Sequence, residues 1–129
     1  MDLDTRALSN LKGVHPDLIR VVRRTAELTT ESGFGWTITC GLRSLAEQKR
    51  LLAINATTTL KSRHLTGHAV DFVCKVDGKI RWDWPLYLKL SKIVKQAAKD
   101  CGVSIEWGGD WKSFKDGPHF QLPWNKYPG

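Results

Sequence analysis

Two histidines and two aspartates stand in two short segments of the chain that could bind a metal ion together. The first segment runs from Ser62 to Asp71 and contains His64, and the second runs from Asp116 to His119. Neutral imidazole and carboxylate are the ligand types of catalytic zinc sites, which keep a fourth position open for water or substrate. The two segments therefore predict a catalytic zinc site where they meet.

The candidate zinc ligands are His64, Asp71 and His119. His64 and Asp71 are seven residues apart with Gly67 between them, and a loop that turns at the glycine can bring both side chains to one ion. His119 begins the last predicted strand and could supply the third ligand. These residues also fit plainer roles, because a lone histidine is commonly a surface residue and Asp71 could serve as a helix cap or ion-pair partner.

His68 lies four residues after His64, which is the spacing of zinc-binding histidine pairs on helices. Gly67 directly precedes it, position 65 is not glutamate, and a predicted strand follows at once. A helical histidine pair is therefore not expected, and His68 stays outside the predicted ligand set.

Asp116 and Arg43 are candidates for the catalytic groups beside the ion. Asp116 lies three residues before His119, close enough to act as a general base while the imidazole binds the metal. Within Asp-Gly-Pro it could equally do no more than form a turn. Arg43 ends a predicted strand and could bind a substrate carboxylate or stabilise an oxyanion, but it also fits the role of a surface arginine.

The helices and strands predicted around these residues indicate an α+β fold, with helices beside a small antiparallel sheet. The strand pattern over residues 36–43 places Ile38, Cys40 and Leu42 on the core face. Helix caps are expected at Asp4, Ser44 and Asp83, a hairpin turn at Asp77-Gly78, and a loop over residues 55–59. The predicted helices cover 3–12, 16–31, 44–54 and 83–101, and the predicted strands cover 36–43, 69–76, 79–82, 103–107 and 119–122.

The composition predicts one globular domain over residues 1–129. No apolar run is long enough to span a membrane, and the N-terminus lacks the apolar stretch of a signal peptide. Three cysteines without a C-x-x-C pair argue against disulfides and against a thiolate zinc site, so all three are expected in the core. The net charge of +7 favours polyanionic partners, but no nucleic-acid-binding motif is present.

The first segment matches every fixed position of the signature S-x-H-x-x-G-x-A-x-D. By this signature the chain resembles the family of zinc D-Ala-D-Ala carboxypeptidases and L-alanyl-D-glutamate endopeptidases. The stretch from Gly41 to Ser44, with Gln48, is similar to a second family segment. Asp116 in place of glutamate and the run Trp107–Trp111 resemble the phage endolysin branch of the family.

The resemblance implies the DD-peptidase or hedgehog-like fold, with three to four helices, and a single peptidase domain without a separate wall-binding domain. It also implies a monomeric endolysin that hydrolyses the L-alanyl-D-glutamate bond of bacterial peptidoglycan. Such an enzyme leaves the host cytoplasm through a holin, without stable membrane insertion and without binding nucleic acid. The implied site consists of Zn²⁺ on His64, Asp71 and His119, the base Asp116, the substrate-anchoring Arg43, and the substrate-binding Ser62, Gln48 and Trp111.

Two alternatives remain open from the sequence. The first is a D-Ala-D-Ala carboxypeptidase or dipeptidase, which would release free D-Ala. The second is a non-catalytic, zinc-containing wall-binding module, although a structural zinc site would need no base at Asp116.

Overall fold

A five-stranded antiparallel sheet and four α-helices make up the fold in the computed structural model, which describes residues 2–30, 34–57, 59, 61–113 and 115–128. This architecture confirms the predicted α+β class. None of the helices in the described residues is both long enough and apolar enough to cross a bilayer. The helices are α1 (Thr5–Asn10), α2 (Pro16–Leu28), α3 (Leu45–Ala53) and α4 (Trp84–Cys101), and the strands are β1 (Gly35–Cys40), β2 (Ala69–Val76), β3 (Lys79–Arg81), β4 (Glu106–Trp107) and β5 (His119–Gln121).

Local capping interactions set most helix ends, as predicted. The side chain of Asp4 accepts a hydrogen bond from the Ala7 amide at the start of α1, and Ser44 accepts one from the Glu47 amide at the start of α3. Asp83 differs from the prediction. It stands at the N-cap of α4 without making a capping hydrogen bond, because its carboxylate pairs with Arg81 instead.

Several element boundaries differ from the prediction. Helix α2 ends at Leu28, and the predicted end near residue 31 lies outside the described residues. The predicted strand 103–107 is reduced to the two residues of β4, and a 3₁₀ turn follows at Gly108–Asp110. The predicted loop over residues 55–59 contains Thr58, which also lies outside the described residues.

Strand β2 is the centre of the sheet. It pairs with β1 along one edge, and with both β5 and β3 along the other. Because side chains alternate between the faces of a strand, Val70 and Phe72 point into the hydrophobic core while Asp71 between them points to the opposite face. In β5, Phe120 is likewise in the core and follows His119 directly. The sheet therefore has an apolar face against the helices and a polar face that carries the candidate ligands.

The apolar face is closed by α2 and α4, which pack against each other. Val22 of α2 and Leu90 of α4 are fully buried with Phe72 of the sheet. Each such side chain contributes about 1.5–3 kcal/mol to folding through the hydrophobic effect. The core thus fixes β2 and β5 independently of any bound ion.

At the end of β1 the side chains no longer alternate regularly between the two faces of the sheet. Ile38 lies opposite Phe72 and Cys40 lies opposite Asp71, so one extra residue of β1 bulges between them. A bulge changes the face to which the following side chains point. The prediction that Cys40 and Leu42 share the core face with Ile38 is therefore wrong: Cys40 faces the site and Leu42 is 52% exposed.

Candidate active site

His64 is presented by a short 3₁₀ turn, Arg63–Thr66. The Ser62 hydroxyl accepts a hydrogen bond from the His64 amide at 3.1 Å and so caps the turn. Gly67 ends it with a φ of 75°, and a Cβ atom there would lie 2.3 Å from the carbonyl oxygen of Gly13. Only glycine combines this backbone conformation with this close approach. The Ser62 and Gly67 of the signature therefore fix the direction of His64.

Asp71 and His119 are brought together by strand pairing, since they are direct partners in the β2–β5 ladder. Asp71 Oδ1 lies 3.2 Å from His64 Nε2 and 3.3 Å from His119 Nδ1. One carboxylate oxygen therefore stands between the two imidazoles. Asp71 therefore contacts both of the histidines that the sequence predicts as ligands.

The second nitrogen of each imidazole is held by the protein. His64 Nδ1 lies 2.8 Å from the carbonyl oxygen of Gly41, to which it donates. His119 Nε2 lies 2.7 Å from Gln121 Oε1, and the Gln121 amide nitrogen donates to Glu106. Such partners fix the tautomer and ring orientation of a metal-binding histidine. Gln121 was missed by the sequence analysis, although its position two residues after His119 places it on the same strand face.

The contact between Asp71 and His64 shifts their pKa values in opposite directions. Burial alone would raise the pKa of Asp71, but hydrogen bonds to His119 and His64 outweigh it and hold that pKa well below its usual range. Burial alone would lower the pKa of His64, but its contacts with Asp71 and Cys40 raise it to about 10. Asp71 is therefore a partly buried anion that pairs with a protonated His64, and a metal ion would take the place of the His64 proton.

Two groups of potential metal ligands share Asp71 in the described residues. One group adds Cys40 and His64, the other adds Asp116 and His119, and the ligand atoms within each group lie within 4.8 Å of one another. Cys74 is buried as predicted, whereas Cys101 is only partly buried at the edge of the core, and Cys40 is not a core residue. Its sulfur lies 3.6 Å from His64 Nδ1 and accepts a hydrogen bond from Arg43 at 3.3 Å. The bulge in β1 accounts for this position.

Asp116 is carried to the same site by a turn that packs against Gly108. The Asp116 amide donates to the Gly108 carbonyl at 3.1 Å, and a Cβ atom on Gly108 would lie 2.4 Å from the Asp116 carbonyl oxygen. Burial and the neighbouring Asp71 carboxylate raise the pKa of Asp116, against the opposing charges of His119, His64 and Arg43. A carboxylate with a raised pKa is better matched to proton transfer near neutral pH.

Arg43 faces Asp71 and is held from behind by Gln48. Its guanidinium lies 3.8 Å from Asp71 Oδ2 and donates to Gln48 Oε1 at 2.8 Å. Gln48 is fully buried, and its amide nitrogen donates to the Thr59 carbonyl at 2.7 Å. Both ends of the Gln48 amide are used inside the protein, so the structure places it behind Arg43 and not on the cavity wall.

A cavity of about 710 Å³ opens over these groups. Ser62 and Trp111 are on its wall, and the Trp111 ring lies 5.1 Å from the ring of His119. His68 is outside the cavity, with its ring 5.4 Å from that of His15. The sequence-predicted residues on the wall are Arg43, Ser62, His64, Asp71, Trp111, Asp116 and His119.

Comparison with known proteins identifies relatives over almost the whole chain. The model of the family "Phage L-alanyl-D-glutamate peptidase" matches residues 1–122. The L-alanyl-D-glutamate peptidase of Escherichia phage T5 is 36% identical over 124 residues, which cover 92% of this chain and 87% of that protein. The peptidoglycan L-alanyl-D-glutamate endopeptidase CwlK of Bacillus subtilis is 32% identical over 132 residues, covering 84% of this chain and 75% of that protein.

A solved structure has the same fold. The crystal structure of the Serratia marcescens L-Ala D-Glu endopeptidase ChiX superposes with a TM-score of 0.89 and 45% sequence identity, covering 97% of this chain and 92% of that one. The similarity therefore includes every element that carries a residue of the site.

Proposed function

This chain belongs to the phage L-alanyl-D-glutamate peptidase family, and we propose that it is a zinc-dependent endolysin that hydrolyses the L-alanyl-D-glutamate bond in the stem peptides of bacterial peptidoglycan. The observation that carries the proposal is the position of Asp71 Oδ1, which lies 3.2 Å from a nitrogen of His64 and 3.3 Å from one of His119. In each histidine the other nitrogen is occupied by a protein partner.

The residues fit a zinc ion. Two zinc bonds of about 2.0–2.1 Å that meet at a tetrahedral angle separate their ligand atoms by about 3.3–3.4 Å. Asp71 Oδ1 is 3.2 and 3.3 Å from the two nitrogens, which agrees with this separation. We therefore assign His64 Nε2, Asp71 Oδ1 and His119 Nδ1 as the ligand atoms.

When bound, zinc supplies a Lewis acid for the scissile carbonyl and lowers the pKa of the attacking water. Asp116 is placed to take the proton of that water and to give it to the leaving amine. Its raised pKa supports both steps, because a general base must also release its proton as an acid. The Gly108 contact holds its carboxyl at the cavity wall.

Arg43 supplies fixed positive charge for the substrate. Its hydrogen bond to buried Gln48 orients the guanidinium before the substrate arrives, so little reorganisation is needed when negative charge develops. Trp111 borders the site beside His119 and offers an apolar wall for the stem peptide. Ser62 acts mainly through the turn that presents His64.

We further propose that residues 1–129 act as one peptidase domain, as a monomer, and reach the cell wall from the host cytoplasm through a holin. The phage relatives support this route, and the net charge of +7 supports attraction to an anionic wall.

The test is digestion of purified Gram-negative peptidoglycan with and without a chelator, followed by mass and end-group analysis. We expect new N-terminal D-Glu, which disappears on chelation and returns with zinc. Release of free D-Ala instead would assign the chain to carboxypeptidase chemistry. Zinc binding without cleavage would leave a wall-binding module.

A further inference from the structure

Lys61 and Lys115 line the cavity, are exposed, and have no carboxylate partner among the described residues. Among the described lysines only Lys95, which pairs with Asp110 at 2.6 Å, and Lys75, which lies 3.8 Å from Asp4, have such a partner, so Lys61 and Lys115 are distinguished by their position on the cavity wall. The two lysines of the cavity therefore keep their charge available for a ligand. We call this pair the rim.

Even without the rim and the proposed metal ligands, the cavity wall carries a net positive charge. The only acids on the wall within the described residues are Asp71 and Asp116, and both are assigned to the reaction. The charged residues of the wall are Arg43, Lys61, Arg63 and Lys115 on the positive side, and Asp71 and Asp116 on the negative side.

Part of this positive charge comes from Arg63. Its guanidinium is buried and donates to the carbonyl oxygens of Leu122 and Tyr127, and it lies 4.0 Å from the centre of the Trp124 ring. No carboxylate neutralises it at ion-pair distance within the described residues, and its Nη1 atom has no hydrogen-bond partner there. A ligand at the rim therefore enters a region of positive potential.

We infer that the rim is a carboxylate-binding subsite that selects stem peptides with diaminopimelic acid, and not lysine, after D-glutamate. This inference rests on the proposed function, because it concerns the substrate of the same cavity. The side chain of diaminopimelic acid ends in an ammonium and a carboxylate, whereas that of lysine ends in an ammonium alone. The carboxylate finds Lys61 and Lys115, and the unaccompanied ammonium of a lysine-type peptide meets like charges.

Two synthetic peptides that differ only in this residue test the inference. Both contain L-Ala-D-Glu, followed by meso-diaminopimelic acid in one and by L-lysine in the other. The zinc-loaded full chain is assayed for kcat/KM on each, as are Lys61→Gln, Lys115→Gln and the double variant. Lys92→Gln is the matched control, because Lys92 is an exposed lysine of α4 that is away from the cavity and equally lacks an ion-pair partner among the described residues.

An exposed ion pair changes an affinity about two- to fivefold. With two lysines we therefore expect the wild-type protein to prefer the diaminopimelate peptide by about tenfold, mainly through KM. The double variant should cleave both peptides about equally, with each single variant between, while Lys92→Gln keeps the wild-type ratio. The preference should also weaken as salt shortens the screening length from about 30 Å at 0.01 M to about 8 Å at 0.15 M.

Equal cleavage of both peptides by the wild-type protein would overturn the inference while leaving the proposed function intact. A preference that survives in the double variant, or one that Lys92→Gln removes as well, would show that the rim does not carry the selectivity. If zinc-loaded protein cleaves neither peptide, the proposed function fails, and the inference with it.

Discussion

Two groups of residues on the cavity wall differ in their burial and in their contacts with the rest of the protein. The ligand wall, which consists of His64, Asp71 and His119, is largely buried, and each of its imidazoles contacts Asp71 with one nitrogen and a second protein partner with the other. The rim, Lys61 and Lys115, is exposed and has no ionic partner in the described part of the chain. The difference agrees with the two proposed roles, because chemistry requires groups fixed in place, whereas selection among charged peptides needs only a local electrostatic potential.

This difference predicts how the two groups respond to substitution. If the proposed zinc is bound there, a change in the ligand wall would remove or misplace a metal bond and should abolish or strongly reduce turnover. A change in the rim should leave the ion in place and alter the choice of substrate.

His64→Ala should lose both the bound zinc and the activity. A catalytic metal contributes several kcal/mol to transition-state stabilisation, so kcat/KM should fall about a thousandfold or more. Metal content by mass spectrometry and peptidoglycan hydrolysis measure the two effects. The matched control is His68→Ala, which removes a histidine outside the cavity and should keep both properties. Stoichiometric zinc in the His64 variant would show that the ligand assignment is wrong.

Asp116→Asn should keep the zinc and the fold but lose about a hundred- to thousandfold in kcat, which is within the range that a general base contributes. The amide retains the size of the side chain but cannot take up a proton. Asp110→Asn is the control, since Asp110 is exposed and pairs with Lys95 at the surface. Near wild-type turnover by the Asp116 variant would remove this residue from the mechanism.

Gln121→Ala should weaken zinc binding about ten- to a hundredfold, because it frees the His119 nitrogen that orients the ring. Competition with a chelator of known affinity measures the change. Gln96→Ala, on the exposed face of α4, should leave the affinity unaltered. An unchanged affinity in the Gln121 variant would mean that strand pairing alone orients His119.

The smallest expected effect is on the free energy of unfolding, and it concerns the helix cap Asp4. Burial alone would raise the pKa of Asp4, but hydrogen bonds from Thr37 and the Ala7 amide, with the charge of Lys75, outweigh it and lower that pKa. Asp4→Ala should therefore reduce the free energy of unfolding at pH 7 by about 1 kcal/mol, the usual value of a helix cap.

A lowered carboxyl pKa stabilises the folded protein above the unfolded pKa of about 3.9, and this contribution disappears as the pH falls through the folded value. The stability difference between wild type and Asp4→Ala should thus shrink below about pH 4. Urea unfolding at several pH values measures it. A difference of the same size at pH 3 and pH 7 would contradict the assignment to the charged carboxylate.

Local signals in the sequence predicted much of this structure. Caps at Asp4 and Ser44 and the turn at Asp77-Gly78 depend on neighbouring residues only, and the structure confirms them. The convergence of His64 with Asp71 could be predicted because Gly67 is diagnostic of a turn. Asp83 failed as a cap because Arg81, on the preceding strand, competes for its carboxylate.

The remaining features depend on strand pairing, which local patterns do not contain. The bulge in β1 arises from its register against β2, so the exposure of Leu42 and the approach of Cys40 to His64 were not predictable. The predicted strand already placed Gln121 on the same face as His119, but its contact with the His119 ring is known only from the structure. The rim likewise needs tertiary structure, because Lys61 and Lys115 are far apart in the sequence and resemble any other surface lysines.

The most direct test of the ligand wall is a crystal structure of the zinc-loaded protein with anomalous diffraction at the zinc absorption edge. We predict one strong peak bonded to His64 Nε2, Asp71 Oδ1 and His119 Nδ1, with Gly41 and Gln121 still contacting the other imidazole nitrogens. A peak bonded to the sulfur of Cys40, or one that lacks His119 among its ligands, would contradict the account.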